Sequence, residues 1–232
     1  MKRSLNFLGD FVSLVFPQAC QACGRSLHRQ EQILCTYCRR HLPYTGFHDH
    51  IDNDTAKQFW GRVEIKAAAS FLYFKKGERV QRLLHQLKYR KQTGVGLYLG
   101  KLYGNNLKDL PGFFEADVIC PLPLHRDRLR KRGYNQSEYF ASGLGGAMHK
   151  TVDSSMLVRE HGTGSQTARS RYERFRNMNK AFSVASPLQL RGLHVLLVDD
   201  VITTGATLTA CAASILQVEG TSVSIATIAY AP

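Results

Sequence analysis

The stretch from Val195 to Thr207, Val-Leu-Leu-Val-Asp-Asp-Val-Ile-Thr-Thr-Gly-Ala-Thr, constrains the fold of this chain more than any other. Its four leading apolar residues predict a strand buried on both faces, as in a parallel sheet covered by helices. Two carboxylates, Asp199 and Asp200, follow where the strand is expected to leave the sheet. A run of small residues then opens a predicted helix. The stretch therefore predicts a strand, loop and helix unit of an α/β fold.

The loop after this strand has the composition of an anion-binding site. It consists of Thr203, Thr204, Gly205, Ala206 and Thr207, and is called the TTGAT loop below. Because it carries no bulky side chain, its backbone N–H groups and those of the next helix can converge on a phosphate. The acid pair, Asp199 and Asp200, can accept hydrogen bonds from a vicinal diol. We therefore predict a sugar-phosphate site here.

Two other interpretations of this stretch are simpler or better known. In the first, a buried strand turns into a helix capped by threonine, and the acid pair is a solvated turn. In the second, the loop is a P-loop, but no lysine follows Gly205 as that motif requires. The unbroken run of strand, acid pair and small loop favours the sugar-phosphate interpretation.

Four cysteines near the N-terminus form two Cys-x2-Cys knuckles separated by eleven residues: Cys20, Cys23, Cys35 and Cys38. Four converging thiolates form the closed tetrahedral site that structural zinc prefers. A redox-active pair is the alternative for either knuckle, but two knuckles together favour zinc. Because four sulfur ligands leave zinc no open position for water, we expect a structural role for the metal.

The length of 232 residues accommodates one α/β domain and a small appended module. We predict a helix plus the zinc module at 1–47, a linker at 48–66 and the α/β domain at 67–232. The apolar run 5–16 is short and contains Asp10, so it predicts an amphipathic helix and neither a signal peptide nor a membrane span. Six cysteines without a secretory signal favour metal or thiol chemistry and a cytoplasmic location.

Alternating strand and helix patterns predict a mainly parallel sheet flanked by helices. We predict strands at 67–74, 117–120, 156–158, 195–198 and 223–229, and helices at 78–89, 94–107, 135–149, 169–179 and 207–218. Ligands of such sheets bind at the carboxyl ends of the strands. Pro121 and Asp199 both emerge there, so two anion sites can flank one sugar.

The segment after the second predicted strand combines a rigid turn with dense positive charge. Two prolines restrict the turn Pro121-Leu122-Pro123-Leu124, and the next eight residues, 125–132, carry five Lys or Arg residues. Such a turn can present charge to a pyrophosphate group, although a solvated basic helix start is the alternative. The candidate contacts are Pro123, Leu124, His125 and Arg126, together with Lys88, for which a solvated lysine is the alternative.

The net charge of +13 predicts a polyanionic partner, either nucleic acid or a phosphorylated small molecule. Most Lys and Arg residues lie between Lys75 and Lys180, with four aromatic residues among them: Tyr134, Tyr139, Tyr172 and Phe175. Cations with interleaved aromatic rings suit single-stranded DNA. Tyr172 and Phe175 are three apart on a predicted helix, so a pair facing the core explains them equally well.

The stretch Val195 to Thr207 closely resembles the phosphoribosyl pyrophosphate (PRPP) signature of type I phosphoribosyltransferases. Nearly the whole chain resembles the ComF/GntX-type competence proteins. The motifs that carry this resemblance are the four cysteines, His-Gln-Leu-Lys-Tyr at 85–89, Pro-Leu-Pro-Leu-His at 121–125, Arg-Lys-Arg-Gly-Tyr-Asn-Gln at 130–136, Gln166-Thr167, Arg174, Asn177, Ala181 and Phe182. Arg169 departs from that family, which usually carries leucine there.

The resemblance implies a zinc module joined to a phosphoribosyltransferase-like domain that binds PRPP with Mg²⁺. It also implies a role in natural transformation, with single-stranded DNA and other competence or DNA-processing proteins as partners. By this resemblance the TTGAT loop would hold the 5′-phosphate, and the acid pair would hold the ribose hydroxyls as the catalytic pair.

Three interpretations of the function stay open at this point. The first is a PRPP-dependent transferase with an unknown acceptor. The second is a PRPP-sensing, DNA-binding accessory protein without turnover. The third is a zinc scaffold for partner proteins that binds no PRPP at all.

Overall fold

A computed structural model describes residues 18–159 and 181–232. Its centre is a five-stranded parallel sheet in the order β1-β7-β6-β2-β3, and a separate antiparallel pair joins β4 to β5. The strands are β1 (Ala67–Tyr73), β2 (Val118–Pro121), β3 (Thr151–Val152), β4 (Leu157–Arg159), β5 (Phe182–Val184), β6 (His194–Ile202) and β7 (Ser222–Tyr230). The predicted mainly parallel sheet flanked by helices is confirmed.

The helices are α1 (Thr36–Arg40), α2 (Asp54–Lys57), α3 (Arg79–Tyr89), α4 (Gly94–Leu107), α5 (Arg126–Arg132), α6 (Gln136–Met148), α7 (Pro187–Leu190) and α8 (Ala206–Ile215), with a 3-10 turn at Phe47–Asp49. Four of them, α3, α4, α6 and α8, match predicted helices within three residues at each end. The remaining helices were not predicted as such, because segments of four to seven residues show too little periodicity.

The strand β6 is longer than the sequence suggested, and this corrects the expected position of the acid pair. Both carboxylates lie inside β6, which continues to Ile202. The neighbouring β7 extends equally far, so backbone pairing persists through Asp199 with Thr227 and Ile202 with Tyr230. The acid pair is therefore held by the sheet itself and does not lie in a turn.

Helices α4 and α6 pack with their backbones in close contact. A Cβ atom at Gly100 would overlap the carbonyl oxygen of Phe140, and one at Gly143 would overlap that of Leu97. This glycine-mediated approach lets α6 lie close to α4 while it also contacts β2 and β6. The start of α6 is thereby fixed beside the carboxyl end of β6.

The segment 48–66, predicted as a linker, carries α2 and several buried residues. The side chain of Asn53 donates to the carbonyl oxygen of Ala68 at 2.8 Å and caps α2 by accepting from two backbone N–H groups. Phe59 has no exposed surface, and Thr55 is equally buried. The segment is thus attached to β1, and the predicted domain boundaries stay predictions.

Some predicted features lie outside the described residues. They are the predicted amphipathic helix at 5–16, the motif Gln166-Thr167 and the predicted helix at 169–179, with Tyr172 and Phe175. Within the described ranges, none of the helices combines the length and apolar character needed to cross a membrane.

Candidate functional site

A cavity of about 580 Å³ opens where β2 and β6 end, at the carboxyl edge of the sheet. Its walls include seven of the residues predicted from sequence: Lys88, Pro123, Leu124, Asp199, Asp200, Thr203 and Thr207. Its volume lies within the range of small-molecule sites, about 300–1,000 Å³. The structure therefore brings together the acid pair, the TTGAT loop, the proline turn and the lysine of α3.

The two carboxylates of the acid pair have different partners. Asp199 Oδ1 accepts a hydrogen bond from Ser137 Oγ at 2.9 Å, and another from its neighbour's backbone N–H at 2.8 Å. Asp200 Oδ1 forms an ion pair with Lys88 Nζ at 2.9 Å. Asp200 Oδ2 is buried and has no hydrogen-bond partner among the described residues. One carboxylate oxygen beside the cavity is therefore buried without a described partner.

Burial, and after it the adjacent Asp200 carboxylate, raises the pKa of Asp199 to about 7. Hydrogen bonds from the Asp200 N–H and the Ser137 hydroxyl oppose this shift, as does the charge of Lys88. Desolvation disfavours the charged form of a carboxyl group, which is why burial dominates. The protonation state of Asp199 consequently changes close to neutral pH.

The TTGAT loop connects the end of β6 to the start of α8. Gly205 is the N-cap of α8 and has a φ of +69°, a left-handed conformation that favours glycine. No side chain caps the helix, and its first turn carries no acidic residue. The free N–H groups of a first helical turn attract anions. Thr203 and Thr207 line the cavity, and the helix begins between them, at Ala206.

Three arginines that were not among the predicted contacts line the cavity: Arg128, Arg132 and Arg159. Arg128 and Arg132 are four residues apart on α5, so they share one face of that helix. Arg132 hydrogen-bonds Gln136 and lies 5.5 Å from the ring centroid of Tyr89. The i, i+4 spacing in the basic run could have identified the first two, whereas no sequence signal pointed to Arg159.

His125 and Arg126 occupy a neighbouring position. They line a smaller cavity of about 180 Å³, which shares Pro123 and Leu124 with the main one. His125 is the N-cap of α5, and its Nδ1 accepts from the backbone N–H of Asp127 at 3.3 Å. The structure therefore places these two predicted contacts beside the main cavity.

Residues at the start of α6 contact both the proline turn and the acid pair. Asn135 donates from Nδ2 to the carbonyl oxygen of Leu122 at 2.9 Å, and its Oδ1 accepts from the Ser137 N–H at 3.1 Å. The Tyr134 hydroxyl donates to the carbonyl oxygen of Leu87 on α3. Asn135 thus caps its helix and fixes the backbone of Ser137, whose hydroxyl contacts Asp199.

The four-cysteine cluster, Cys20, Cys23, Cys35 and Cys38, brings its sulfur atoms within 4.8 Å of one another. The Sγ atoms of Cys23 and Cys35 are 3.8 Å apart, close to the spacing of about 3.8 Å set by a tetrahedron with Zn–S bonds of about 2.3 Å. All six cysteines of the chain are unpaired. The cluster could therefore hold a metal ion such as zinc.

Backbone N–H groups point at the sulfurs of the cluster. The Cys35 N–H donates to Cys20 Sγ at 3.3 Å, and the Cys38 N–H donates to Cys35 Sγ at 3.4 Å. Burial alone would raise the pKa of the Cys20 thiol, but backbone hydrogen bonds from Cys35, Ala22 and Cys23 outweigh it and lower that pKa to about 7. Such bonds favour the thiolate form of Cys20, whereas burial raises the pKa of the Cys35 and Cys38 thiols.

Helix α3 connects the cluster to the cavity. Near its start, Arg79 donates to the carbonyl oxygen of His41 at 2.9 Å, and Arg82 to that of Ala22 at 3.4 Å. Near its end, Lys88 forms the ion pair with Asp200. One helix therefore contacts both the cysteine knuckles and the acid pair.

Residues 150–232 match the family described as phosphoribosyl transferase domain. The fold and this match define a phosphoribosyltransferase-like protein. DNA utilization protein YhgH of Escherichia coli (strain K12) is 30% identical over 204 residues, which cover 85% of this chain and 84% of that protein. Competence protein F of Haemophilus influenzae is 27% identical over 205 residues, 82% of this chain and 86% of that protein. The chain belongs to the ComF/GntX-type competence protein family.

Among solved structures, glutamine PRPP amidotransferase from B. subtilis aligns at 19% identity with a TM-score of 0.43. The alignment covers 62% of this chain and 30% of that chain.

Proposed function

We propose that this protein binds PRPP in the cavity at the carboxyl edge of the sheet and acts in natural transformation, in the uptake and handling of single-stranded DNA. The observation that carries the proposal is that a single cavity contains the acid pair, the TTGAT loop and four cations: Lys88, Arg128, Arg132 and Arg159. PRPP has a phosphate at one end of a ribose, a pyrophosphate at the other and a diol between them. These three parts match the chemistry of the walls.

Each wall of the cavity suits one part of the ligand. The 5′-phosphate would lie on the TTGAT loop, where free N–H groups and threonine hydroxyls converge. The acid pair, which lines the cavity, would accept the 2′- and 3′-hydroxyls. The pyrophosphate would lie towards the arginines, with the proline turn and its His125 and Arg126 at the rim.

The donor set also suits Mg²⁺, since carboxylate oxygens are ligands that this hard cation prefers. The acid pair would hold Mg²⁺ in the ligand complex, and the ion would offset negative charge on the pyrophosphate. Asp199 and Asp200 orient the diol and stabilise positive charge that develops at C1 as the bond to pyrophosphate breaks. The arginines neutralise the departing group. The acceptor that attacks C1 is not identified by these contacts.

We further propose that the four-cysteine cluster binds structural zinc and that the chain is organised as 1–47, 48–66 and 67–232. The converging sulfur geometry supports zinc, and a set of four cysteine ligands leaves the metal no open coordination position. Unpaired cysteines are typical of proteins in a reducing compartment, which supports a location in the cytoplasm.

A second candidate function is a PRPP-sensing, DNA-binding accessory protein that does not turn PRPP over. The rim of the cavity supports it. Tyr89 is 65% exposed, with the Arg132 guanidinium over its ring and His85 at 5.1 Å between ring centroids. Tyr134, whose hydroxyl contacts Leu87 on the same helix as Tyr89, forms an edge-to-face pair with Tyr139. Exposed aromatic rings among cations suit single-stranded nucleic acid.

Calorimetry with PRPP and Mg²⁺ tests both functions. We expect the wild type to bind, and the Asp199→Ala/Asp200→Ala variant to bind at least about tenfold more weakly, because it loses both diol acceptors. The matched control is Asp52→Ala/Asp109→Ala, which removes two exposed carboxylates away from the cavity and should bind like the wild type. A wild type that does not bind PRPP would refute both functions and leave the zinc scaffold.

A screen for pyrophosphate release over bases and single-stranded DNA then separates the two. Release with any acceptor supports the transferase, and binding without release across the screen supports the accessory protein. DNA affinity should fall steeply with rising salt, as expected for several phosphate contacts, and PRPP affinity should fall less.

A further inference from the structure

The turn Phe59–Arg62 contacts the TTGAT loop, although it lies more than a hundred residues away in the chain. Arg62 donates a hydrogen bond from its guanidinium Nη1 to the carbonyl oxygen of Thr204 at 2.8 Å. Phe59 is fully buried, and its ring would lie 3.4 Å from a Cβ atom added at Gly205. The turn therefore contacts the TTGAT loop through both a hydrogen bond and an aromatic ring.

This turn is itself held firmly by the sheet. The backbone N–H groups of Arg62 and Val63 both donate to the Phe59 carbonyl oxygen, at 3.0 and 3.2 Å. Just before the turn, the Thr55 hydroxyl is hydrogen-bonded to the hydroxyl of Ser70 in β1 at 2.7 Å. The Ser70 hydroxyl is also hydrogen-bonded to the hydroxyl of Thr227 in β7 at 2.7 Å. Arg62 is therefore presented by a fixed backbone, even though its side chain reaches the surface.

The contact with the Thr204 carbonyl determines where the next N–H group points. A trans peptide is planar, and its C=O and N–H point in opposite directions. Fixing the Thr204 carbonyl on Arg62 therefore directs the Gly205 N–H away from Arg62. Glycine adopts either sign of φ at little cost, so without this contact the peptide between Thr204 and Gly205 could rotate and present its carbonyl oxygen to the anion instead.

We propose that Arg62 is a positioning residue for the 5′-phosphate. It holds the peptide between Thr204 and Gly205 in the orientation that presents N–H and not C=O to the phosphate. This inference rests on the proposed PRPP site. It assigns a role in that site to the segment 48–66, outside the residues 150–232 that match the phosphoribosyl transferase domain.

Two small ligands test the two ends of the site independently. Ribose 5-phosphate probes the TTGAT loop, and inorganic pyrophosphate probes the arginine end, each measured by calorimetry with Mg²⁺. The variants are Arg62→Met, which removes the donor but keeps the stem, and Arg62→Lys, which keeps one donor and the charge. The control is Lys57→Met. It removes an exposed cation at the end of α2 whose described ion pair is with Asp54. Melting temperatures without ligand accompany each measurement.

We expect Arg62→Met to weaken ribose 5-phosphate binding by about five- to tenfold, as for loss of one charge-assisted hydrogen bond, with the affinity for pyrophosphate within about twofold of wild type. Arg62→Lys should recover most of the affinity, and Lys57→Met should behave like the wild type. Since Arg62 is exposed, the melting temperature should change little.

Three results would overturn the inference. The first is Arg62→Met binding ribose 5-phosphate as tightly as the wild type does. The second is equal weakening of both ligands, which would indicate a general loss of structure. The third is an effect that disappears between about 0.05 M and about 0.5 M salt, which would indicate screened long-range charge in place of a fixed peptide. Failure of the wild type to bind either ligand would instead refute the proposed function itself.

Discussion

The four-cysteine cluster and the acid pair both gather side chains that are negative when ionised, yet they are built in opposite ways. In the cluster, four sulfurs converge within 4.8 Å, and two of them accept hydrogen bonds from backbone N–H groups. In the acid pair, each carboxylate has its own partner, one oxygen is left without any described partner, and both face a cavity. A convergent set suits a metal that stabilises the fold, and a divergent set that lines a cavity suits a ligand that comes and goes.

We expect the largest effect from a substitution that removes one sulfur of the four-cysteine cluster. Cys38→Ser should remove the metal and unfold the knuckles locally, because metal binding supplies much of the folding energy of such small modules. Metal content by mass spectrometry and amide exchange across residues 18–47 check this. Cys211→Ser alters a buried thiol outside the cluster and should keep the metal. Unchanged metal content in Cys38→Ser would contradict the assignment of the cluster as the metal site.

The same contrast explains how much the sequence could predict. The cysteines of this cluster come in two local pairs, so spacing alone identifies all four. The acid pair and the TTGAT loop are equally local, and they were found in the same way. The residues that contact the two carboxylates could not be identified in this way. Ser137 lies 62 residues from Asp199, and Lys88 lies 112 residues from Asp200.

Long-range packing also decided which cations reach the cavity. Lys88 was chosen from sequence as a phosphate contact, and the structure pairs it with a carboxylate. Arg128 and Arg132 line the main cavity, whereas Arg126 lines the adjoining one, because the helical turn of α5 sends them in different directions. Arg159 and Arg62 carry no local signal at all. The parallel sheet and the main helices followed from the pattern of apolar residues, which is a local property, but the order of the strands and these side-chain contacts did not.

A second, smaller effect tests whether the acid pair depends on the cation of α3. Lys88→Met leaves the carboxylate of Asp200 buried without its only described ionic partner, so we expect a loss of roughly 2–3 kcal/mol in the free energy of unfolding. The double variant Lys88→Met/Asp200→Asn removes both charges and should recover most of that loss. Chemical denaturation measures each, with the exposed Lys101→Met as the control. Equal effects of Lys88→Met and Lys101→Met, or strict additivity in the double variant, would show that the pair contributes nothing.

The smallest effect concerns the proton on Asp199. Its pKa is raised from an ordinary value of 3.8 to about 7 by burial and then by the Asp200 carboxylate. Between these values the folded protein holds a proton that the unfolded chain has lost, so this group makes stability fall as pH rises towards about 7. From about pH 6 to about pH 8 the contribution is at most about 1.4 kcal/mol, since one titrating unit of pH corresponds to about 1.36 kcal/mol.

Asp199→Asn cannot ionise, and its side-chain oxygen can still accept from Ser137, so this variant should lack that fall. Relative to the wild type it should gain stability at about pH 8 compared with about pH 6 in denaturation curves at the two pH values. The control Asp109→Asn, at an exposed position, should follow the wild type at both. If Asp199→Asn and the wild type lose stability in parallel as the pH rises, Asp199 is already ionised at pH 6. The divergent arrangement would then hold two full negative charges, and Lys88 together with the Ser137 hydroxyl would have to stabilise both.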